Sequence, residues 1–374
     1  MWDRVVRRSL ESMTDNKGMA AENELSAIRA ACTKFVSGHG EVTAERLLAT
    51  IPVDTEVDRY GDGGVVAALE SEIATLLGKP AAVFLPSGTM AQQAVLRVHA
   101  DQRQRRTIVF HPMCHLEQHE EGAYQRLHGL IGRKAGDENR LLRLAHLTPI
   151  REPVAALLIE LPQRDIGGQQ PTWDDLVAQC DWAAQVGAAR HLDGARLWES
   201  AAGYGRPLGE VAALFDTVYI SFYKGIGALP GCCVAGPDEV IAQVRDWRQR
   251  MGGTLHGLWP SAASALSCMA VRLPRFPQYL EHARAIASAL SQVPGVRVIP
   301  DPPQTSMMHL LMDTTAERFD AAVRAVAADQ GVWVWGQPME TIDPDVQRFE
   351  LSVGDATCEL SADEIAGIIG ALAA

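Results

Sequence analysis

Short apolar runs of strand length recur along the chain with helix-patterned stretches between them, and this alternation constrains the fold more than any other feature. The runs lie at residues 81–85, 107–110, 154–160, 190–192, 217–221 and 231–235, and helical periodicity occupies 90–100, 115–123, 173–186 and 208–215. Strands joined through helices do not form hairpins. They pair in parallel, with the connecting helices covering the faces of the sheet. The expected fold class is therefore α/β, with a mostly parallel sheet in a large domain. Such sheets bind ligands beyond the carboxyl ends of their strands, so the residues that close each run are the first candidates for function.

Before the first run, apolar positions at helical spacing over residues 65–77 end at Gly78-Lys79-Pro80. After the last run, helices are expected over 237–250 and 259–272, and Pro274 and Pro277 then break the chain. The texture changes there. Helices at 278–290 and 316–329, strands at 296–299, 307–312, 332–334 and 348–353, and a last helix from Ser361 describe a smaller α+β lobe. Residues 1–59 read as an N-terminal arm and helical segment. The expected domains are thus 1–59, a large domain over 60–273 and a small one over 274–374.

A formal net charge of −12 repels phosphate backbones, so nucleic acid is not an expected partner. No apolar run approaches the ~20 residues of a membrane span, and the first residues lack the apolar core of a signal peptide. Seven cysteines, widely spaced and without a CxxC pair, read as reduced, mostly buried thiols. The expected location is cytoplasmic, with no membrane partner.

Three strand ends carry chemistry. In Phe84-Leu85-Pro86-Ser87-Gly88-Thr89-Met90 an apolar run meets Ser-Gly-Thr and a helix follows. Helix N-termini offer free N–H groups, Gly88 lets the backbone approach closely, and the hydroxyls of Ser87 and Thr89 add donors: a phosphate cradle, or an ordinary helix cap. In His191-Leu192-Asp193-Gly194-Ala195-Arg196 a run ends at an aspartate, which would pair with a protonated ring nitrogen or simply cap a helix. In Tyr219-Ile220-Ser221-Phe222-Tyr223-Lys224-Gly225 a run ends at a lysine set between aromatic residues and glycine. A partly desolvated lysine there becomes a nucleophile towards carbonyls; the alternative is a surface lysine at a strand end. Cradle, aspartate and lysine in that order match the needs of a pyridoxal site, where a lysine Schiff base and an aspartate beside the pyridinium are required.

The chain resembles the threonine aldolase and aromatic amino acid β-eliminating lyase family of pyridoxal-phosphate enzymes over roughly residues 60–355. The matching stretches are Tyr60-Gly61-Asp62, Leu69-Glu70, Leu77-Gly78-Lys79, Pro86-Ser87-Gly88-Thr89-Met90-Ala91, His115 with Glu120, His191-Leu192-Asp193-Gly194-Ala195-Arg196-Leu197-Trp198, Phe222-Tyr223-Lys224-Gly225 and Gly252-Gly253. The resemblance implies the aspartate-aminotransferase-like fold, pyridoxal 5'-phosphate as cofactor, and a homo-oligomer, dimer or tetramer, with shared active sites. It implies that Lys224 carries the cofactor as a Schiff base, that Ser87, Gly88 and Thr89 hold its phosphate, and that Asp193 pairs with its ring nitrogen. It further implies that His115 stacks on the ring and moves protons, and that Arg196 and Arg348 bind the substrate carboxylate.

This sequence also departs from the family. It has no Arg-Ser-Asp-Thr segment near its start; Ser37 or His39 sits near that spacing. Gln163 stands where many aldolases carry a histidine near the substrate hydroxyl. His256 stands where an arginine helps hold phosphate across a subunit interface. His111, His115 and His119 are spaced by four, which on one helix would suggest a metal, but Pro112 interrupts such a helix and no metal is expected. Glu117, Glu120 and Glu121 read as an acidic first turn. The expected activity is cleavage of a β-hydroxy-α-amino acid, such as L-threonine or L-allo-threonine, to glycine and an aldehyde. The alternatives are β-elimination from another amino acid, or a non-catalytic binding protein of the same fold.

Overall fold

A computed structural model describes residues 16–335, 338–339 and 341–373. Among these, seven strands form one sheet: β1 Ala81–Leu85, β2 Thr107–Phe110, β3 Ile131–Lys134, β4 Val154–Glu160, β5 Ala189–Gly194, β6 Thr217–Ser221 and β7 Cys232–Gly236. Their order is β1-β7-β6-β5-β4-β2-β3. Every neighbouring pair is parallel except the two made by β7, which runs antiparallel to β1 and to β6. The mostly parallel α/β sheet read from the sequence is present. β4 is buried over Val154–Ile159, as a strand covered on both faces should be.

β3 had no apolar run to reveal it. Its Ile-Gly-Arg-Lys is largely exposed at the sheet edge, where charged side chains are tolerated. The expected helix over 115–123 is two short helices, His115–Gln118 and Ala123–His128. Between them Glu121 and Gly122 take left-handed backbone angles, φ 51° and 67°, and Gly122 stands at the cap position that starts the second helix. On the sheet face, Val83, Leu85, Val95, Val98, Ile108, Phe110, Leu158 and Val234 build one apolar core with the helices Gly88–Arg103 and Asp238–Arg250.

The chain divides into two compact units. One comprises Val42–Arg284 and Ile299–His309 and holds the seven-stranded sheet. The other gathers the segments up to Glu41, Ala285–Val298 and from Leu310 onward. In it lies most of a three-stranded sheet, order β10-β9-β8, made by β8 Val296–Ile299, β9 Met307–Asp313 and β10 Val346–Ser352. Lys34–Phe35 pairs in parallel with Val332–Trp333, which ties the segment before Glu41 to the C-terminal lobe. Residues 42–59 group with the large unit. Among the described residues, no helix is long and apolar enough to cross a membrane.

Candidate active site

A cavity of about 310 Å³ opens at the carboxyl ends of β1, β5 and β6, where Ser87, Gly88, Thr89, Asp193 and Lys224 meet. β1 runs out through Pro86 into the helix Gly88–Arg103, whose cap residue Ser87 spends no side-chain bond on the helix. The first N–H groups of that helix point outward without helical partners. Gly88 is required: a Cβ there would overlap the Tyr219 hydroxyl from β6.

Asp193, near the end of β5, is buried, and its Oδ1 accepts from the Ala195 N–H at 3.2 Å. Burial pushes its carboxyl up to about 6, against the pull of His115 and Lys224. A buried carboxylate in this state gains most from a cation placed beside it. Lys224 follows β6, with Nζ 5.2 Å from the centre of the Tyr223 ring. Gly225, the next residue, leaves room for the Glu199 carboxylate, which any Cβ would strike.

Two histidines that line the same cavity are each paired with a carboxylate. The backbone N–H of His115 donates to Glu160 Oε2 at 2.9 Å, and its Nδ1 lies 3.1 Å from Glu120 Oε1. Glu120 is held in turn by Gln93 Nε2 at 2.6 Å. The Glu120 bond holds His115 above the usual histidine range, against burial, and Asp193 and Glu160 add to it. His119 Nε2 is 2.8 Å from Asp165 Oδ2, and its ring centre lies 5.1 Å from that of His115. Glu160, opposite Asp193 in the strand register, is pushed up to about 7 by burial first and Asp193 next, while the N–H groups of Arg164 and His115 oppose the shift. Glu120 is therefore more than part of an acidic turn: it sets the basicity of the cavity's histidine.

The other expected residues lie elsewhere. Arg196 stands at the N-cap position of the helix Leu197–Tyr204, one residue beyond the cavity-lining Ala195. Gln163 is buried, its amide donating to Met113 O and Glu160 Oε2, off the cavity wall. His256 is exposed on the loop before Trp259, its ring edge-on to Tyr60 at 5.2 Å. Asp58 fixes that loop by accepting from Gly61, Leu258 and Trp259 N–H groups. Ser37 and Arg348 belong to the other unit, where the Ser37 hydroxyl pairs with Ser352 and Arg348 lies on β10. His39 there meets Asp355 at 3.3 Å. His111 faces the carbonyls of Asp137 and Arg140, so the three evenly spaced histidines have three different partners. Among the described residues no cluster of three or more histidine, cysteine or acidic side chains could hold a metal.

Reading strand ends alone missed Gln92, His119, Tyr219, Tyr223 and Pro230, which also line the cavity. Tyr219 had a signal, since alternation along β6 puts it on the face of Thr217 and Ser221. Gln92 had another, one helical turn beyond Gly88.

Together the wall offers anion donors at the cradle, a buried carboxylate that favours a cation, and a lysine amine. Pyridoxal 5'-phosphate fits that donor set, with an anionic tail, a protonatable nitrogen and a carbonyl.

The beta-eliminating lyase family profile matches residues 37–315. The low-specificity L-threonine aldolase 1 of Arabidopsis thaliana is 25% identical over 289 residues, which cover 75% of this chain and 80% of that protein. A solved structure of a candidate L-allo-threonine aldolase from Listeria monocytogenes superimposes with a TM-score of 0.88 at 37% identity, over 94% of this chain and 98% of the other. A candidate aromatic amino acid beta-eliminating lyase/threonine aldolase from Exiguobacterium gives 0.87 at 36%, over 92% and 99%.

Proposed function

From a chain that belongs to the beta-eliminating lyase family, we infer a pyridoxal-phosphate-dependent aldolase that cleaves a β-hydroxy-α-amino acid to glycine and an aldehyde. The observation that carries this reading is the convergence of Lys224, Asp193 and the Ser87-Gly88-Thr89 cradle on one cavity, faced by a histidine hydrogen-bonded to a carboxylate. Bound there, the cofactor supplies an electron sink for the pair released when Cα–Cβ breaks.

The chain's own residues would supply the rest. Lys224 would anchor the carbonyl carbon. The helix N-terminus and the hydroxyls of Ser87 and Thr89 would hold the phosphate. Asp193, ionised once a cation faces it, would keep the ring nitrogen protonated. His115, made more basic by Glu120, would take the proton from the β-hydroxyl as the carbonyl of the aldehyde forms. His119 on Asp165 is near enough to help orient the same hydroxyl. Arg196 and Arg348 complete the proposal as ligands of the substrate carboxylate, a role that rests on the family resemblance.

A homo-oligomer in the cytoplasm is part of the same proposal. The cytoplasmic location is supported by seven cysteines that are all free thiols. The test is product identity. Purified protein supplied with pyridoxal phosphate and L-threonine, L-allo-threonine or phenylserine should release glycine and the matching aldehyde. Pyruvate and ammonia from serine-type substrates, without glycine, would move the reaction to β-elimination.

A further inference from the structure

From a half-buried arginine, a line of buried polar groups crosses from helix to sheet and back to the cavity-lining Gln92. Arg103 Nη1 lies 3.4 Å from His99 Nδ1, and His99 Nε2 lies 2.8 Å from Thr217 Oγ1. Thr217 Oγ1 is 2.9 Å from His191 Nδ1, and His191 Nε2 is 2.8 Å from Gln92 Oε1. Gln92, His99 and Arg103 share the helix Gly88–Arg103, while His191 and Thr217 face each other across β5 and β6.

The donors and acceptors of this line can be placed one after another. A guanidinium only donates, so His99 Nδ1 accepts and its Nε2 carries the hydrogen. Thr217 receives that hydrogen and has a single one of its own, which goes to His191 Nδ1. His191 then carries its hydrogen on Nε2 and donates to Gln92 Oε1. Burial pushes both histidines down to about 3, which keeps each ring neutral. The Gln92 amide is thereby locked with its oxygen toward His191 and its NH₂ away. Gln92 is 1% exposed, lines the cavity, and its Nε2 has no protein acceptor among the described residues. His191 stands two residues before Asp193 on the same face of β5.

We propose that Gln92 is a cofactor-binding residue of this cavity, donating its amide hydrogens to an acceptor atom of the bound pyridoxal phosphate, and that the Arg103–His99–Thr217–His191 line is the positioning device that fixes this orientation. The inference rests on the pyridoxal reading above and adds a donor to it. A fixed donor costs nothing to reorganise on binding, whereas a freely flipping amide presents oxygen as readily as nitrogen.

The experiment titrates cofactor-free full-length protein with pyridoxal phosphate, reading visible absorbance for Kd, and measures the Tm of each cofactor-free variant. Gln92→Met removes the amide without placing a charge at this buried position. It should weaken binding about tenfold or more, in a protein whose Tm shows that it still folds. Thr217→Val cuts the line while preserving shape. It should weaken binding in the same direction, and the double variant should be no weaker than Gln92→Met alone. Undiminished affinity in Gln92→Met overturns the inference and leaves the cofactor reading intact. Additive losses in the double variant overturn the positioning line. Wild-type protein that does not bind pyridoxal phosphate overturns the cofactor reading itself, and the inference with it.

Discussion

Lys224 ends the β6 run beside Tyr223 and opens into the cavity that also holds Asp193. Lys224→Ala should give a protein without the visible band of bound cofactor, and borohydride should no longer trap pyridoxal phosphate on the chain. A variant that is still trapped would move the anchor to another amine. The basic group belongs to the same scale. A base must be neutral to take a proton, and the Glu120 bond holds His115 above the usual histidine range. Activity should therefore fall as pH drops through that raised value. Glu120→Gln removes the leading cause of the shift, so the acid limb of the kcat profile should move to lower pH. The maximal rate should drop by less than the ~10²–10⁴-fold that general-base catalysis is worth, because His115 stays in place as a weaker base. An acid limb that stays in place would point to Glu160 as the titrating group. Of these residues, Ser87, Gly88, Thr89, Asp193 and Lys224 were legible in the sequence because each closes an apolar run. Glu120 was visible only through the family resemblance, and His119 and Gln92 were not read as part of the site. The first two follow His115 at the end of a four-residue helix that apolar spacing does not mark, and a glutamine in a helix looks like any solvated face until its partner on the sheet is known.

At the scale of elements, the helix Gly88–Arg103 does two jobs, packing on the sheet and presenting its N-terminus to the cavity. Gly88→Ala should drive a methyl into the Tyr219 hydroxyl and push the cradle out of place, lowering affinity for pyridoxal phosphate. The double variant Gly88→Ala with Tyr219→Phe should recover part of the loss. No recovery would mean that a Cβ blocks the phosphate itself. A helix away from the site should behave differently. Thr172 caps Trp173–Gln185 by accepting from the Asp175 N–H at 3.3 Å. Thr172→Ala should cost about 1 kcal/mol and lower Tm by about 2 °C, with cofactor affinity unchanged. The strands whose apolar runs are buried were readable from the sequence. β3 was not, because an edge strand of Ile-Gly-Arg-Lys has no hydrophobic face to declare.

At the scale of the whole molecule, sequence patterns report local periodicity and say little about which distant segments pair. The alliance of Lys34–Phe35 with Val332–Trp333 spans nearly the whole chain and has no local signature. Assembly is equally non-local. Met90, Leu127, Trp247 and Met251 line an open, largely apolar groove that also takes in Ser87 and Thr89, and Leu127 is 66% exposed. The homo-oligomer inferred above would have an apolar face to bury here. Light scattering should then give a multiple of the chain mass, and Leu127→Glu should shift it downward. A mass unchanged by that substitution places the interface on another face.

The central claim is that this cavity performs a cofactor-assisted retro-aldol cleavage. The most direct measurement combines the visible spectrum of protein loaded with pyridoxal phosphate and a product assay after adding L-threonine or L-allo-threonine. The predicted result is a bound-cofactor band together with glycine and acetaldehyde in equal amounts, both lost in Lys224→Ala. A bound-cofactor band with no glycine from any β-hydroxy-α-amino acid would contradict the claim.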